Sequence, residues 1–280
     1  MNRRDDTLAQ QDSRFAQIDW RGRSVRIEHQ WVGSADEGAP LIVFLHEGLG
    51  SVAMWKDFPE RLCNAADARG LVYSRPGYGR STPRAADETW DTDFMHRQAH
   101  EVLPALFDAL GISAARERPW LFGHSDGGSI ALLYAARHSA QLAGLIVLAP
   151  HIFVEDISVT SIEKAADAYR KTDLESRLAK YHDDPDSAFW GWNHAWLNPA
   201  FREWSIEAEI ATVTCPLLAI QGADDEYGTL EQIRGIARCL PQTEVLELAG
   251  CGHSPHRDQP ESTIIAATRF IQRHTQGETR

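Results

Sequence analysis

Cysteine is scarce in this chain, which has four cysteines in 280 residues and no closely spaced pair of them. A chain of this length buries enough apolar surface to fold without cross-links, so we expect the thiols to be reduced. The spacing also argues against a cysteine-based zinc site, and the sequence predicts no metal and no cofactor. The four residues are Cys63, Cys215, Cys239 and Cys251.

Basic residues and long apolar runs are also in short supply. Lysine and arginine total 28 against 40 acidic residues, which gives a net charge of -12. Nucleic acids and anionic membranes attract basic surfaces, so the charge argues against both as partners. No apolar run approaches the ~20 residues that span a bilayer, and residues 1–6 lack the apolar region of a signal peptide. We therefore expect a cytoplasmic protein whose partner is a small-molecule substrate.

Short apolar segments are abundant, and they alternate with segments of helical periodicity. This alternation predicts an α/β fold: a mostly parallel, doubly wound sheet that carries its functional loops at the carboxyl ends of the strands. The predicted strands cover residues 15–20, 24–31, 41–45, 71–74, 120–122, 145–149, 217–221 and 245–249. The predicted helices cover residues 55–68, 94–110, 229–239 and 260–274, with a further helix beginning near Ser129 and with Gly70 and Gly111 as helix stops.

Residues 151–212 interrupt this alternation. They contain no clear strand, and their pattern indicates several short helices. We interpret them as a helical cap inserted into a core formed by residues 1–150 and 213–280, since they directly follow a predicted strand. The alternative is a peripheral helical layer whose aromatic side chains pack against the sheet. This segment holds four of the nine tryptophans of the chain: Trp190, Trp192, Trp196 and Trp204.

The most informative segment is residues 120–129, in which an apolar strand runs into Gly-x-Ser-x-Gly and then into a helix. Glycines at 123 and 127 permit a turn that holds Ser125 in a strained conformation with its hydroxyl exposed. Serine needs an adjacent base to act as a nucleophile, and histidine held by a carboxylate is the usual one. Downstream, one predicted strand ends in an acidic loop at residues 223–226, and another ends at the glycine-flanked His253. The order serine, acid, histidine at strand ends predicts that the three side chains meet.

With these motifs, the chain resembles the α/β-hydrolase superfamily of serine hydrolases, from about residue 15 to residue 274. The resemblance implies that Ser125 is the nucleophile and that His253 is the general base. In that family the acid commonly stands three residues after a strand-end glycine, which selects Asp225, with Asp224 and Glu226 as alternatives. A metal site at His253 and a neighbouring histidine is not expected, because no third ligand is suggested.

The resemblance also implies an oxyanion hole made of two backbone amides. One belongs to Asp126, directly after the nucleophile and at a helix N-terminus. The other belongs to Gly48 in the loop that follows the strand at 41–45. Here the chain departs from the usual pattern, because Glu47 takes the place of a glycine. Arg75 is expected to anchor the next loop, where the family often has an aspartate one position earlier.

Taken together, the sequence predicts a cofactor-independent hydrolase that acts on a carboxylic ester, or on a thioester, through an acyl-serine. The aromatic cap suggests a small to medium apolar or aromatic substrate that contacts Glu47, Trp190, Trp192 and Trp196. Hydrolysis of a carbon–carbon bond in a diketone-like compound is the alternative, since the same three residues support it. Epoxide or alkyl-halide chemistry is disfavoured, because those branches place aspartate at the nucleophile position. A ligand receptor without catalysis is the alternative from another class.

Overall fold

Eight strands form one sheet in the computed structural model, which describes residues 14–85 and 87–276. The spatial order is β1-β2-β4-β3-β5-β6-β7-β8, and every neighbouring pair from β4 to β8 is parallel. Only β1 and β2 run antiparallel to their neighbours. This confirms the prediction of a mostly parallel sheet. The strands are β1 (Arg14–Trp20), β2 (Arg23–Gly33), β3 (Leu41–Leu45), β4 (Arg69–Tyr73), β5 (Trp120–His124), β6 (Gly144–Leu148), β7 (Leu217–Gly222) and β8 (Glu244–Leu248).

Helices cover both faces of the sheet. They are α1 (Phe58–Ala65), α2 (Phe94–Arg97), α3 (Leu103–Ala109), α4 (Ala114–Glu117), α5 (Asp126–His138), α6 (Asp156–Lys171), α7 (Leu174–Leu178), α8 (Pro185–Trp196), α9 (Glu207–Ile210), α10 (Glu231–Cys239), α11 (Pro255–Asp258) and α12 (Pro260–Gln276). A π-helical turn, Gln98–Val102, joins α2 to α3, and short 3-10 turns cover Val52–Trp55, Ser139–Gln141 and Pro199–Glu203. Among the described residues, no helix combines the length and apolar character needed to cross a membrane.

The continuous apolar strands are explained by burial on both faces. Successive side chains of a strand point to opposite sides of the sheet. In β3, Val43 and Leu45 lie in the larger apolar cluster, whereas Ile42 and Phe44 lie in the second cluster on the other face. A strand with two buried faces has no place for polar residues, so the central strands read as unbroken apolar runs.

Two sequence predictions about glycines and helix ends were wrong. Gly70 does not stop a helix: it lies inside β4, where any Cβ would overlap the sulfur of Cys63 on α1. The chain reverses instead at Asp67, which takes the left-handed conformation with φ of +50°. Helix α5 begins at Asp126 rather than near Ser129, because the glycines that look like a loop in the sequence form its first turn.

Residues 151–212 follow β6 and lead back into β7. They contain helices α6 to α9, a 3-10 turn and one isolated bridge between Phe153 and Ser205. We call residues 151–212 the helical insertion. It leaves the sheet at the carboxyl end of β6, so its first part lies beside the carboxyl ends of the central strands, and it then crosses to the amino end of β7. The carboxyl ends form the edge to which the sequence assigns the functional loops.

Candidate active site

Ser125 lies in the sharp turn between β5 and α5. Its backbone has φ of +52° and ψ of -121°, a region that residues with a side chain rarely occupy. The flanking glycines make the turn possible, because a Cβ at Gly123 would overlap Gly127, and one at Gly127 would overlap the carbonyl of Leu45. The strand–turn–helix crossing is therefore packed too tightly for other residues. It leaves the Ser125 hydroxyl facing a pocket.

The imidazole of His253 connects Ser125 to a carboxylate. Its Nε2 atom is 2.9 Å from Oγ of Ser125, and its Nδ1 atom is 2.8 Å from Oδ1 of Asp225. With Nδ1–H donating to the carboxylate, Nε2 is free to accept the hydroxyl proton. The three side chains come from turns after β5, β7 and β8. The structure thus brings together the serine, acid and histidine that the sequence singled out.

Asp225 is held as an ionised acceptor. Its Oδ1 also accepts from the backbone N–H of Tyr227 at 2.8 Å, and its Oδ2 accepts from Nε2 of Gln221 at 3.0 Å. Burial alone would raise the pKa of this carboxyl, but the hydrogen bond and charge of His253 and the Tyr227 amide outweigh it, and the net pKa is lowered. The alternative acids, Asp224 and Glu226, are exposed. Glu226 instead accepts from the backbone N–H of His253 at 3.2 Å.

A cavity of about 250 Å³ opens beside Ser125. Trp192 and Trp196 of the helical insertion line it, and Glu47 lines it from the other side, as the sequence predicted for these three. Trp190 is not part of this lining. It packs against Tyr169, and Arg170 stacks over its ring at 4.7 Å. The prediction failed because positions 192 and 196 share one face of α8, whereas a residue two positions earlier points away from that face.

Both amides assigned to the oxyanion hole belong to residues of the cavity lining, Gly48 and Asp126. Within the described chain, neither N–H donates a hydrogen bond to another residue. Two free N–H groups beside a serine hydroxyl are suited to hold a negative oxygen. The indole of Trp192 packs directly against the Cα of Gly48, which leaves no room for a side chain there.

The loop that carries Gly48, residues 46–50, is held through the carbonyl oxygen of Glu47. That oxygen accepts from Nδ1 of His46 at 2.7 Å, from Nη2 of Arg75 at 2.8 Å and from the backbone N–H of Gly50 at 3.1 Å. Arg75 also contacts its own loop, where the guanidinium lies 4.7 Å from the ring centre of Tyr78. It therefore supports two loops at once, one more than the sequence indicated.

Asp126 has a buried partner that sequence reasoning missed. Its Oδ1 accepts from the indole N–H of Trp196 at 3.2 Å, and its Oδ2 lies 3.8 Å from Nη2 of Arg75. Both side chains of this ion pair are only 1% exposed. Burial raises the pKa of Asp126, and the Arg75 cation and the Trp196 hydrogen bond oppose that shift. A carboxylate at a helix N-terminus signals a favourable dipole, but nothing local in the sequence points to position 75.

The unusual Glu47 faces His124, the residue before the nucleophile. Its Oε2 lies 3.5 Å from Nδ1 of His124, and Nε2 of His124 is 2.7 Å from the carbonyl oxygen of His253. Burial would raise the pKa of Glu47, but its contact with His124 outweighs burial and lowers it. Glu47 therefore stays ionised, and through His124 it is linked to the loop that carries His253.

A further histidine, His151, also lines the cavity. Its ring packs edge-to-face against Trp196, with ring centres 4.8 Å apart, and its ring centre lies 5.9 Å from that of His253. Burial lowers its pKa to about 3, so it is neutral near pH 7. In the part of the chain that the structure describes, no group of three or more His, Cys, Asp or Glu side chains is arranged to hold a metal ion.

This chain is similar to several known proteins. A model described as "Alpha/beta hydrolase family" matches residues 42–267. A curated 2-succinyl-6-hydroxy-2,4-cyclohexadiene-1-carboxylate synthase from Klebsiella pneumoniae is 25% identical over 267 residues, which cover 86% of this chain and 97% of that protein. An esterase structure from Thermogutta terrifontis has a TM-score of 0.70 at 20% identity, with 94% of this chain and 99% of that one covered. An enol-lactonase from Burkholderia xenovorans LB400 has a TM-score of 0.72 at 21% identity, with 92% and 100% covered.

Proposed function

Because this chain belongs to the alpha/beta hydrolase family, we propose that it is a serine hydrolase that cleaves a carboxylic ester through an acyl-enzyme on Ser125. One observation carries the proposal: the unbroken line of hydrogen bonds from Ser125 Oγ through the His253 ring to Asp225, at 2.9 and 2.8 Å. A hydroxyl becomes a nucleophile when a base takes its proton as it attacks. The base needs an anion behind it that fixes its tautomer and stabilises its charged form.

The reaction proceeds in two halves. Ser125 Oγ attacks the ester carbonyl while His253 Nε2 takes the hydroxyl proton, and the carbonyl oxygen becomes an oxyanion that the amides of Gly48 and Asp126 stabilise. His253 then gives its proton to the departing alkoxide, which leaves as the alcohol and the acyl-serine remains. A water molecule repeats the attack with His253 as base, so that the acid is released and the serine regenerated.

The cavity supports a small to medium substrate with an apolar or aromatic group. Trp192 and Trp196 lie on one side of it, and a cavity of about 250 Å³ is at the small end of ligand sites. We propose that the helical insertion acts as a cap that supplies these aromatic surfaces. A thioester has the same reacting carbonyl and is included in the proposal.

The direct test is the variant Ser125→Ala assayed on p-nitrophenyl esters. Removing the serine from a serine–histidine–aspartate triad lowers turnover roughly a million-fold. Ser254→Ala is the matched control, because Ser254 also lines the cavity, whereas the hydrogen bonds of the His253 ring within the described chain go to Ser125 and Asp225. A fluorophosphonate should add covalently to wild type and to the control, but not to Ser125→Ala. Mass spectrometry of the intact proteins detects the added mass. If Ser125→Ala retained turnover within about tenfold of wild type, the proposal would be wrong.

Carbon–carbon bond chemistry is the second candidate. The name of the Klebsiella pneumoniae relative describes the synthesis of a cyclic carboxylate, not ester cleavage. The same serine, histidine and aspartate would serve such a reaction. A panel of short acyl esters, aryl esters, acyl-thioesters and a ring-fission diketone separates the two. A kcat/KM on the diketone far above every ester would favour the second candidate, and binding without turnover would indicate a receptor.

A further inference from the structure

His182 occupies an unusual position for a histidine outside the reacting residues. It lies between α7 and α8 in the helical insertion, and it is only 4% exposed. Its Nδ1 atom is 2.9 Å from the backbone nitrogen of Gly79, and its Nε2 atom is 2.9 Å from the carbonyl oxygen of Leu49. One buried ring thus joins the insertion to two separate loops of the core.

The two contacts fix the protonation state of the ring. The amide of Gly79 is a donor, so Nδ1 must be an unprotonated acceptor. The carbonyl of Leu49 is an acceptor, so Nε2 must carry hydrogen. Only the neutral ring with its hydrogen on Nε2 satisfies both partners. A proton added at Nδ1 would point at the N–H of Gly79 and break that contact.

The contact at Leu49 completes the support of the loop 46–50. On one side, the carbonyl of Glu47 is held by His46 and Arg75, and it closes a turn with the amide of Gly50. Leu49 lies inside that turn, next to Gly48, and His182 holds it from the insertion. The adjacent amide of Asp183 donates to the carbonyl of Gly79 at 2.9 Å, which ties the same corner of the insertion to the core.

We propose that His182 is a positioning residue whose neutral ring orients the loop 46–50, so that docking of the helical insertion and formation of the oxyanion hole are coupled. The proposal rests on the proposed function, in which the Gly48 amide stabilises the oxyanion. A misplacement of about 1 Å at a reacting centre can cost ~100-fold in rate, so the position of the donor matters. His182 touches no reacting atom, and it acts through the backbone.

The charged surroundings of His182 set the sign of its pH dependence. Burial lowers its pKa, whereas the hydrogen bond to Leu49 and the nearby carboxylates of Glu47, Glu28 and Asp183 oppose that shift. His46 also lies within electrostatic range, and the ring of Tyr78 packs edge-on at 6.1 Å. The net pKa is lowered, so the ring is neutral near pH 7. Its contact with Gly79 is lost only as the pH falls below the usual range for histidine.

The test compares two substitutions with a matched control. His182→Phe removes both contacts, whereas His182→Gln keeps a donor and an acceptor at a similar separation and cannot titrate. His194→Phe is the control, because His194 lies on the same insertion, is exposed and is not part of the cavity lining. For His182→Phe we expect kcat to fall by at least about tenfold with KM changed by less than about threefold, because complete loss of one oxyanion donor costs ~100- to 1,000-fold. For His182→Gln we expect recovery of most of that loss.

The ratio of the pH profiles of kcat/KM for His182→Gln and wild type is the second readout. Effects of pH that the two proteins share cancel in the ratio. We expect the ratio to stay constant near neutral pH and to rise as the pH falls below ~6.5, the usual pKa of histidine, since only wild type has a ring at position 182 to protonate. A flat ratio would overturn the proposal, as would unchanged kcat in His182→Phe. If Ser125→Ala remained active, the proposed function would fail instead, and the two failures are therefore distinguishable.

Discussion

The buried pair of Arg75 and Asp126 allows a test of whether burial or distance decides how much an ion pair contributes to stability. Its charged atoms are 3.8 Å apart, and both side chains are only 1% exposed. The surface pair of Arg234 and Glu247 is closer, at 2.7 and 2.9 Å, but it is about half exposed. If distance decided the contribution to stability, the surface pair would matter more. Since solvent screens exposed charges and not buried ones, we expect the opposite.

The perturbation is Arg75→Met, which keeps an unbranched apolar stem and removes the charge. Asp126 is then left buried with one hydrogen bond, from Trp196. Breaking a buried pair by removing one partner costs about 3–5 kcal/mol. For a domain of this size that loss lowers the thermal midpoint by roughly 6 °C or more. Arg234→Met is the matched control, and its unfolding midpoint should stay close to that of wild type.

The dependence of this loss on pH identifies its cause. Burial already raises the pKa of Asp126, and without the guanidinium the pKa must rise further. A carboxyl whose pKa is raised in the folded state favours folding at low pH, and this advantage is lost as the pH rises through the folded pKa. The destabilisation of Arg75→Met should therefore be small near pH 4 and grow towards pH 7.

Chemical unfolding at several pH values, followed by circular dichroism, measures these changes. The double variant Arg75→Met with Asp126→Asn has no buried charge, so it should be more stable than the sum of the two single losses predicts, by about 2 kcal/mol. Two results would refute the reasoning: a loss in Arg75→Met no greater than in Arg234→Met, or a loss that does not change with pH.

Three further predictions concern single residues. Asp225→Asn should lower kcat on p-nitrophenyl esters by ~10,000-fold, because the wrong tautomer of the histidine is held, whereas the exposed neighbour variant Asp224→Asn should match wild type in the same assay. Gly48→Ala places a Cβ against the indole of Trp192 and should lower kcat by ~100-fold, because it displaces the proposed oxyanion donor. Adding Trp192→Ala makes room for the Cβ and should restore at least part of kcat. No recovery in the double variant would contradict the packing argument. Burial lowers the pKa of His256 well below its usual value. Below pH ~6.5 the imidazole of His256 therefore takes up a proton in the unfolded chain but not in the folded protein. Between pH 6.5 and 5.5, wild type should lose about 1 kcal/mol more unfolding free energy than His256→Gln, as measured by denaturant titration, and equal losses would contradict a neutral buried ring.

The three side chains of the candidate site could be predicted from the sequence because chemistry restricts the residue type and topology restricts the place. A serine between two glycines after an apolar strand, and a glycine-flanked histidine after another, fit few other roles. Parallel strands bring their carboxyl ends to one edge, so residues separated by 128 positions, as Ser125 and His253 are, lie within hydrogen-bond distance. Topology did not separate Asp225 from Asp224 and Glu226: the spacing typical of the resembled family favoured it, and in the structure its Oδ1 lies 2.8 Å from Nδ1 of His253.

Other features have two physical explanations that read alike in a sequence. A glycine after a helix is either a left-handed cap or a site of close packing, and Gly70 is the second kind. The sequence of α8 does not show which of its tryptophans face the cavity. Trp192 and Trp196 line it, whereas Trp190 packs against Tyr169. Such cases are decided by which neighbour lies within contact distance, and that neighbour is remote in the chain.

The residues that support the active site were the least predictable, for a common reason. Arg75 donates to the carbonyl of Glu47, His182 to that of Leu49 and His124 to that of His253. Every residue has a carbonyl oxygen, so the acceptor leaves no mark in the sequence, and the donor looks like any other buried polar side chain. Yet a buried donor must find a partner, because an unpaired one is costly. It follows that a buried arginine or histidine near a candidate nucleophile is best interpreted by asking which loop carbonyl it holds. Under the proposed function, replacing Arg75, His182 or His124 should therefore alter catalysis even though Ser125, His253 and Asp225 are unchanged.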